Sequence, residues 1–100
     1  MFRRFLIFTI TLLIPVLAQA RAWSVSGSVT EKAAGHPVAG AVIKLGEDYL
    51  WTTSDTAGTF RLDNVQPGSY ILEVSCLGYV AVTREINVKD DIENINVVLQ

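Results

Sequence analysis

The stretch Thr53-Ser-Asp-Thr-Ala-Gly-Thr-Phe-Arg-Leu62 combines a turn with the start of a strand. Asp at the first position of a type I turn accepts hydrogen bonds from backbone N–H groups, and Gly at the fourth position adopts positive φ without strain. Asp55 and Gly58 stand at these positions, and polar and apolar residues alternate after them. The stretch therefore predicts a β-hairpin corner, after which Phe60 and Leu62 share the apolar face of a strand.

The same alternation continues through nearly all of the chain after residue 22. Apolar residues at every second position are typical of strands with one buried face, and turn residues separate the runs. Seven faces are predicted: Trp23/Val25/Val29, Ala41/Ile43/Leu45, Tyr49/Trp51/Thr53, Phe60/Leu62, Tyr70/Leu72/Val74/Cys76, Val80/Val82/Ile86/Val88 and Ile95/Val97/Leu99. Because such strands need a second sheet to cover them, we predict an all-β fold, a sandwich of seven antiparallel strands.

The first twenty residues have the three parts of a cleavable signal peptide. Arg3 and Arg4 form a positive start, residues 5–17 are mostly apolar, and Ala18-Gln19-Ala20 is a small-x-small cleavage site. The uncharged run is shorter than the about 20 residues of a membrane-spanning helix. We expect cleavage after Ala20, with cleavage after Ala22 as the alternative. The predicted organisation is a signal peptide over residues 1–20 and one exported domain over residues 21–100, with no membrane span in the exported part.

Charge and cysteine usage restrict the partners and the source of stability. Residues 21–100 contain six basic and ten acidic residues, a formal net charge of −4, and no basic patch, so nucleic acid and anionic lipid surfaces are poor partners. Cys76 is the single cysteine and cannot form an internal disulfide. Free cysteines are usually buried, and we expect this of Cys76, with a thiol available to another chain as the alternative.

Two polar groups suggest metal sites and are interpreted otherwise. His36 is the only histidine, whereas a zinc site needs three or four ligands and a catalytic base needs an orienting partner, so an ordinary turn residue is expected. Asp90, Asp91 and Glu93 offer three carboxylates without a glycine, whereas calcium takes about six to eight oxygens. A solvated turn that discourages edge-to-edge strand pairing is expected there. No metal or cofactor is predicted.

Tyr49 and Trp51 are the candidate ligand contacts. Exposed aromatic side chains on a sandwich can stack on sugars. The alternative is structural, with one of the two in the core and the other at its rim.

Five turn-containing segments follow one another between residues 25 and 99: Gly27-Ser-Val-Thr30, Gly35-His-Pro-Val-Ala-Gly-Ala-Val-Ile43, Thr53-Ser-Asp-Thr-Ala-Gly-Thr-Phe60, Val65-Gln-Pro-Gly-Ser-Tyr70 and Val74-Ser-Cys-Leu-Gly-Tyr79. Their order resembles that of the carboxypeptidase regulatory-like domain. The resemblance implies a transthyretin-like sandwich with structural roles for the motif residues Gly27, Pro37, Gly40, Asp55, Gly58, Phe60, Pro67, Gly68, Gly78 and Tyr79. In it, Gly78 bends the chain so that Tyr79 can fold back over the sandwich.

The resemblance also implies a function. A copy of this domain directly after a signal peptide is similar to the N-terminal extension of TonB-dependent outer-membrane receptors, particularly the nutrient-uptake receptors of Bacteroidetes. It implies a periplasmic module at the outer membrane with a spacer, docking or regulatory role, and a receptor plug and barrel that would follow residue 100. The alternative is a self-contained exported module that binds carbohydrate or protein.

Enzymatic activity is not expected. Transthyretin-like hydroxyisourate hydrolases use several His and Arg residues and a Tyr-Arg-Gly-Ser tail, whereas this chain has one histidine and ends Val-Val-Leu-Gln. Metallocarboxypeptidases use a His-x-x-Glu zinc pair, and here Ala39 stands three residues after His36.

Overall fold

A computed structural model of the protein describes residues 22–100, so the predicted signal peptide lies outside the described residues. Seven strands occur in this part of the chain: β1 (Trp23–Glu31), β2 (Val42–Leu45), β3 (Leu50–Thr53), β4 (Thr59–Val65), β5 (Gly68–Ser75), β6 (Val82–Val88) and β7 (Ile92–Leu99). The prediction of an all-β fold with seven strands is confirmed. Among the described residues, no helix is long and apolar enough to cross a membrane.

The strands form two sheets, one of three strands in the order β4-β1-β7 and one of four strands in the order β3-β2-β5-β6. All pairs are antiparallel except β1–β7, which is parallel. The prediction of a wholly antiparallel sandwich is wrong at this pair. β7 does not reach β1 through a hairpin, which would force an antiparallel pair, but crosses over from β6 in the opposite sheet.

The two sheets bury one continuous apolar core between them. Leu72 and Val74 of β5, for example, lie with Val25 and Val29 of β1 in this cluster. Phe60 also belongs to it and is 4% exposed, so its predicted place in the core is confirmed. Within residues 22–100, both sheets contribute to this one core, which is the property that lets a domain fold on its own.

Two predicted faces are wrong in part. In β3, Leu50 and Thr52 are half-buried whereas Trp51 and Thr53 are exposed, the reverse of the predicted face. Leu45 pairs with Leu50, so the loop between β2 and β3 has four residues. Because a shift of one residue in the register turns every side chain of a strand to the other face, this pairing places Leu50 inward and Trp51 outward. Val80 is exposed because it precedes β6 and lies in a loop.

Gly27 lies at the centre of the three-stranded sheet, where β1 has a neighbour on each side. On each side the partner strand contains one extra residue relative to β1, and Asn64 of β4 and Asn94 of β7 adopt positive φ at these bulges. A Cβ atom at Gly27 would overlap with the carbonyl oxygen of Ile95. The sheet therefore has no room for a side chain at this position.

Candidate functional site

The predicted hairpin corner is built around the carboxylate of Asp55. Its Oδ1 accepts hydrogen bonds from the backbone N–H groups of Ala57 (3.0 Å) and Thr59 (2.9 Å), and its Oδ2 accepts one from the Thr59 hydroxyl (2.7 Å). The Thr59 hydroxyl, followed by the Thr59 and Ala57 amides, lowers the pKa of Asp55 below its ordinary value. Asp55 holds the turn through these bonds.

We expect Asp55→Asn to make the melting temperature less dependent on pH in acid. A carboxyl whose pKa is lowered by folding stabilises the native state above its unfolded pKa of about 3.9, and this stabilisation is lost as the pH falls through the lower, folded value. Melting temperatures of the parent should therefore fall more steeply than those of the variant below about pH 4. Asp90→Asn is the matched control, because Asp90 is exposed and its side chain makes no hydrogen bond or ion pair within residues 22–100. Parallel acid limbs for parent and D55N would contradict the assignment.

Gly58 and Pro37 pack together against β1. Gly58 has a φ of 78°, and a Cβ atom there would lie 2.7 Å from the carbonyl oxygen of Val29 and 2.9 Å from Cβ of Pro37. The Val29 N–H donates to the Gly58 carbonyl (2.7 Å), and the Val38 N–H donates to the Val29 carbonyl (2.9 Å). These motif residues therefore join the hairpin corner, β1 and the connection between β1 and β2.

Ser54 holds the same corner from inside and was not singled out from the sequence. It is 5% exposed, and its hydroxyl donates to the Val38 carbonyl (2.6 Å) and accepts from the Ala41 N–H (2.9 Å). Its backbone carbonyl also accepts from the Gly40 N–H (2.9 Å). A serine in a turn is ordinary in sequence, so only its burial reveals that it fixes residues 38–41.

The structure separates the two aromatic candidates. The Tyr49 ring stacks on Tyr70, with centroids 5.3 Å apart and planes at 10°. The Tyr49 hydroxyl accepts from the Gln66 N–H (3.1 Å), and the Tyr70 hydroxyl donates to the Gln66 carbonyl (2.7 Å). Burial, together with the neighbouring Tyr49 hydroxyl, raises the pKa of Tyr70. Tyr49 thus joins the β2–β3 loop to the β4–β5 turn, which contains Gln66 and Pro67 directly before Gly68 of β5.

Trp51 is the more accessible of the two candidates, since Tyr49 is 39% exposed. Its side chain is 68% exposed on the outer face of β3. Lys44 is its direct cross-strand partner on β2, and Glu73 of β5 is the partner of Lys44 on the other side. Trp51, Lys44 and Glu73 therefore form one outward row across three strands of the sheet.

The Leu77 loop, residues 76–81 between β5 and β6, exposes a group of apolar side chains. Leu77 is 99% exposed and Val80 is 70% exposed, while Tyr79 is 36% exposed. The Tyr79 N–H donates to the Cys76 carbonyl (3.0 Å), and the Val80 N–H donates to the Gln100 carbonyl (2.8 Å). Tyr79 borders a depression of about 490 Å³ beside Leu99 of β7. Cys76 is half-buried and packs against the core.

The polar groups that were considered for metal binding do not lie together in one site. His36 is largely exposed, and its Nδ1 lies 4.0 Å from Glu31 Oε1. Asp91 Oδ1 accepts from the Ser24 N–H (2.9 Å), so this carboxylate fixes the start of β7 beside β1 and is more than a solvated turn residue. Within residues 22–100, no three His, Cys, Asp or Glu side chains are grouped as metal ligands.

Comparison with known proteins identifies both a family and a set of similar folds. The profile of the carboxypeptidase regulatory-like domain matches residues 24–100. No curated protein matches the chain. Among solved structures, one similar chain belongs to a type II cohesin–X-dockerin complex from Acetivibrio cellulolyticus (TM-score 0.67, 18% identity, 77% of this chain and 56% of that chain).

Two pilins are similar in the same way. They are BcpA, the major pilin subunit of Bacillus cereus (TM-score 0.62, 20% identity, 79% of this chain and 29% of that chain), and a streptococcal ancillary pilin (TM-score 0.53, 19% identity, 82% and 30%). The chain thus spans about half of the first similar structure and less than a third of each pilin. At these identities the similarity shows the β-sandwich fold alone.

Proposed function

Because the chain belongs to the carboxypeptidase regulatory-like domain family, we propose that it is a non-catalytic, exported docking module. Its proposed place is the periplasmic N-terminal extension of a TonB-dependent outer-membrane receptor for nutrient uptake. The signal-like residues directly ahead of the family match support export, and the resemblance of the motif order to such receptors supports this place.

The observation that carries the docking role is the Leu77 loop. Leu77 is fully exposed, and Val80 and Tyr79 are also exposed on the same loop. Exposed apolar groups that lie together are typical of protein interaction sites, whereas single exposed apolar residues are ordinary. The bonds of Tyr79 to Cys76 and of Val80 to Gln100 hold the loop in one shape, which lowers the entropic cost of binding.

The motif residues support a role without chemistry of its own. The Asp55 carboxylate is engaged by the Ala57 and Thr59 amides, and Gly58 is packed against β1, so both maintain the fold. The similar cohesin–X-dockerin and pilin structures are named for protein assembly. They support a docking role by analogy of fold.

Fractionation of native cells tests the receptor assignment. An antibody against residues 21–100 should detect, in the outer-membrane fraction, a polypeptide much larger than the module alone. A species of the size of residues 21–100, released with the periplasmic contents, would overturn the receptor assignment. That result would favour the self-contained exported binding module.

Leu77→Asp tests the docking surface. We expect the variant to fold as the parent does, because the side chain is fully exposed, and to lose capture of the envelope partner by a photo-crosslinker placed at residue 79. Val98→Asp is the matched control, since Val98 is an exposed apolar residue on β7. Equal crosslinking by parent and L77D would contradict docking at this loop.

A further inference from the structure

We propose that the outer face of the four-stranded sheet around Trp51 binds a neutral oligosaccharide. This surface, the Trp51 face, consists of Val42 and Lys44 of β2, Asp48 of the β2–β3 loop, Trp51 of β3 and Glu73 of β5. The proposal goes beyond the docking function, because the Leu77 loop can dock a protein whether or not the module binds a sugar.

The indole of Trp51 projects from an ordered strand. It is 68% exposed, yet every residue of β3 is paired with β2, so the backbone beneath the ring belongs to a regular ladder. An aromatic side chain has few rotatable bonds, and a platform that is already ordered loses little entropy on binding. The face of a pyranose ring that carries C–H bonds can pack flat on such an indole.

Polar groups stand beside the indole with their hydrogen-bonding capacity unused. Lys44 is the cross-strand neighbour of both Trp51 and Glu73, and Asp48 lies in the adjoining loop. Within residues 22–100, the side chains of Lys44, Asp48 and Glu73 make no hydrogen bond and no ion pair. An ammonium group and two carboxylates can therefore bind the hydroxyl groups at the edge of a sugar that is stacked on Trp51, and bonds to charged groups are the stronger ones.

The shape of the surface fits an extended chain of sugar rings. Val42, Leu50 and Trp51 line a depression of about 250 Å³ together with Lys44 and Asp48. This is below the about 300–1,000 Å³ of sites for drug-sized ligands, so it suits a single ring. Lys44 and Asp48 also border a second depression of about 650 Å³, which reaches Glu73 and Ile71. A ligand that fills both must cross Lys44.

Charge and composition decide between possible occupants. Carboxylates outnumber ammonium groups on the Trp51 face, so an acidic polysaccharide is repelled and a neutral one is favoured. Lys44 and Glu73 separate Trp51 from Ile71, the other exposed apolar side chain of this sheet face. The centre of a protein interface is depleted in Lys, Glu and Asp, and here these residues form the centre.

Calorimetric titration of purified residues 21–100 with cellohexaose, maltohexaose, xylohexaose and mannohexaose tests the proposal. At least one should bind, and Trp51→Ala should weaken that binding by about tenfold or more. Because Trp51 is exposed, the variant should keep the parent melting temperature, which shows that the loss is local. Lys44→Ala should weaken the same interaction, because it removes the donor between the two depressions.

Leu77→Ala is the matched control, since it truncates an exposed apolar side chain away from the Trp51 face. It should leave sugar affinity unchanged, so that failure of sugar binding and failure of docking are separate results. The proposal is overturned if none of the four sugars binds at millimolar concentration, or if W51A binds as tightly as the parent. Preferential binding of a polygalacturonate oligomer, or crosslinking of a protein at position 51, would also overturn it.

Discussion

Replacement of Phe60 by alanine is expected to unfold the domain. The ring is 4% exposed and lies in the core between the two sheets. Truncation of a buried aromatic residue costs about 3–5 kcal/mol, because burial is lost and a cavity remains. Native domains are stable by about 5–15 kcal/mol, and small ones bury a smaller share of their surface. The substitution should therefore remove most of the stability.

Urea unfolding followed by circular dichroism measures this effect. F60A should have no folded baseline, or a midpoint far below that of the parent. Phe60→Leu retains most of the apolar volume and should give a measurable, intermediate midpoint. Leu77→Ala, a truncation at a fully exposed apolar residue, should leave the midpoint unchanged. A parent-like midpoint for F60A would show that the ring does not contribute to the core.

Gly27→Ala is expected to have the second large effect, although it adds only one methyl group. The new Cβ would overlap with the carbonyl oxygen of Ile95, a backbone atom that cannot rotate away as a flexible side chain can. Overpacking costs about 1–3 kcal/mol, and occasionally more. β1 is held by β4 on its other side, so it can move away from β7 only by straining a second ladder.

Hydrogen exchange should show where the added methyl group acts. Amides of β7 around Ile95 and of β1 around Gly27 should lose protection, and the melting temperature should fall. Ser26→Ala, at the neighbouring position whose side chain faces outward, is the control and should change neither. A parent-like exchange profile for G27A would mean that the two strands can separate without cost.

The strands and the core follow from the sequence because alternation reports which side chains are buried. The prediction fails where the geometry of a turn decides the face. The β2–β3 loop contains Gly46 and Asp48, both with positive φ, and its register places Leu50 inward and Trp51 outward. The parallel β1–β7 pair is likewise set by a crossover between sheets, which no local pattern encodes.

The site was only half predictable for a related reason. Tyr49 and Trp51 are equivalent in the sequence, and what separates them is the stacking of Tyr49 on Tyr70, more than twenty positions later. The exposure of Leu77 follows from the direction of its loop, since the residue type alone predicts burial. Long-range contacts therefore decide which aromatic or aliphatic residues are accessible.

The parallel pairing of β1 and β7 has a mechanical consequence. Both strands run the same way, so residue 22 and residue 100 emerge at opposite ends of the sandwich. A tensile force between these ends would pull along the two strands in opposite directions. The bonds from Gly27–Ile95 to Glu31–Leu99 would bear the load together in shear, whereas a hairpin pulled at its open end would unzip one bond at a time. The module would thus resist a force that is applied between residue 22 and residue 100.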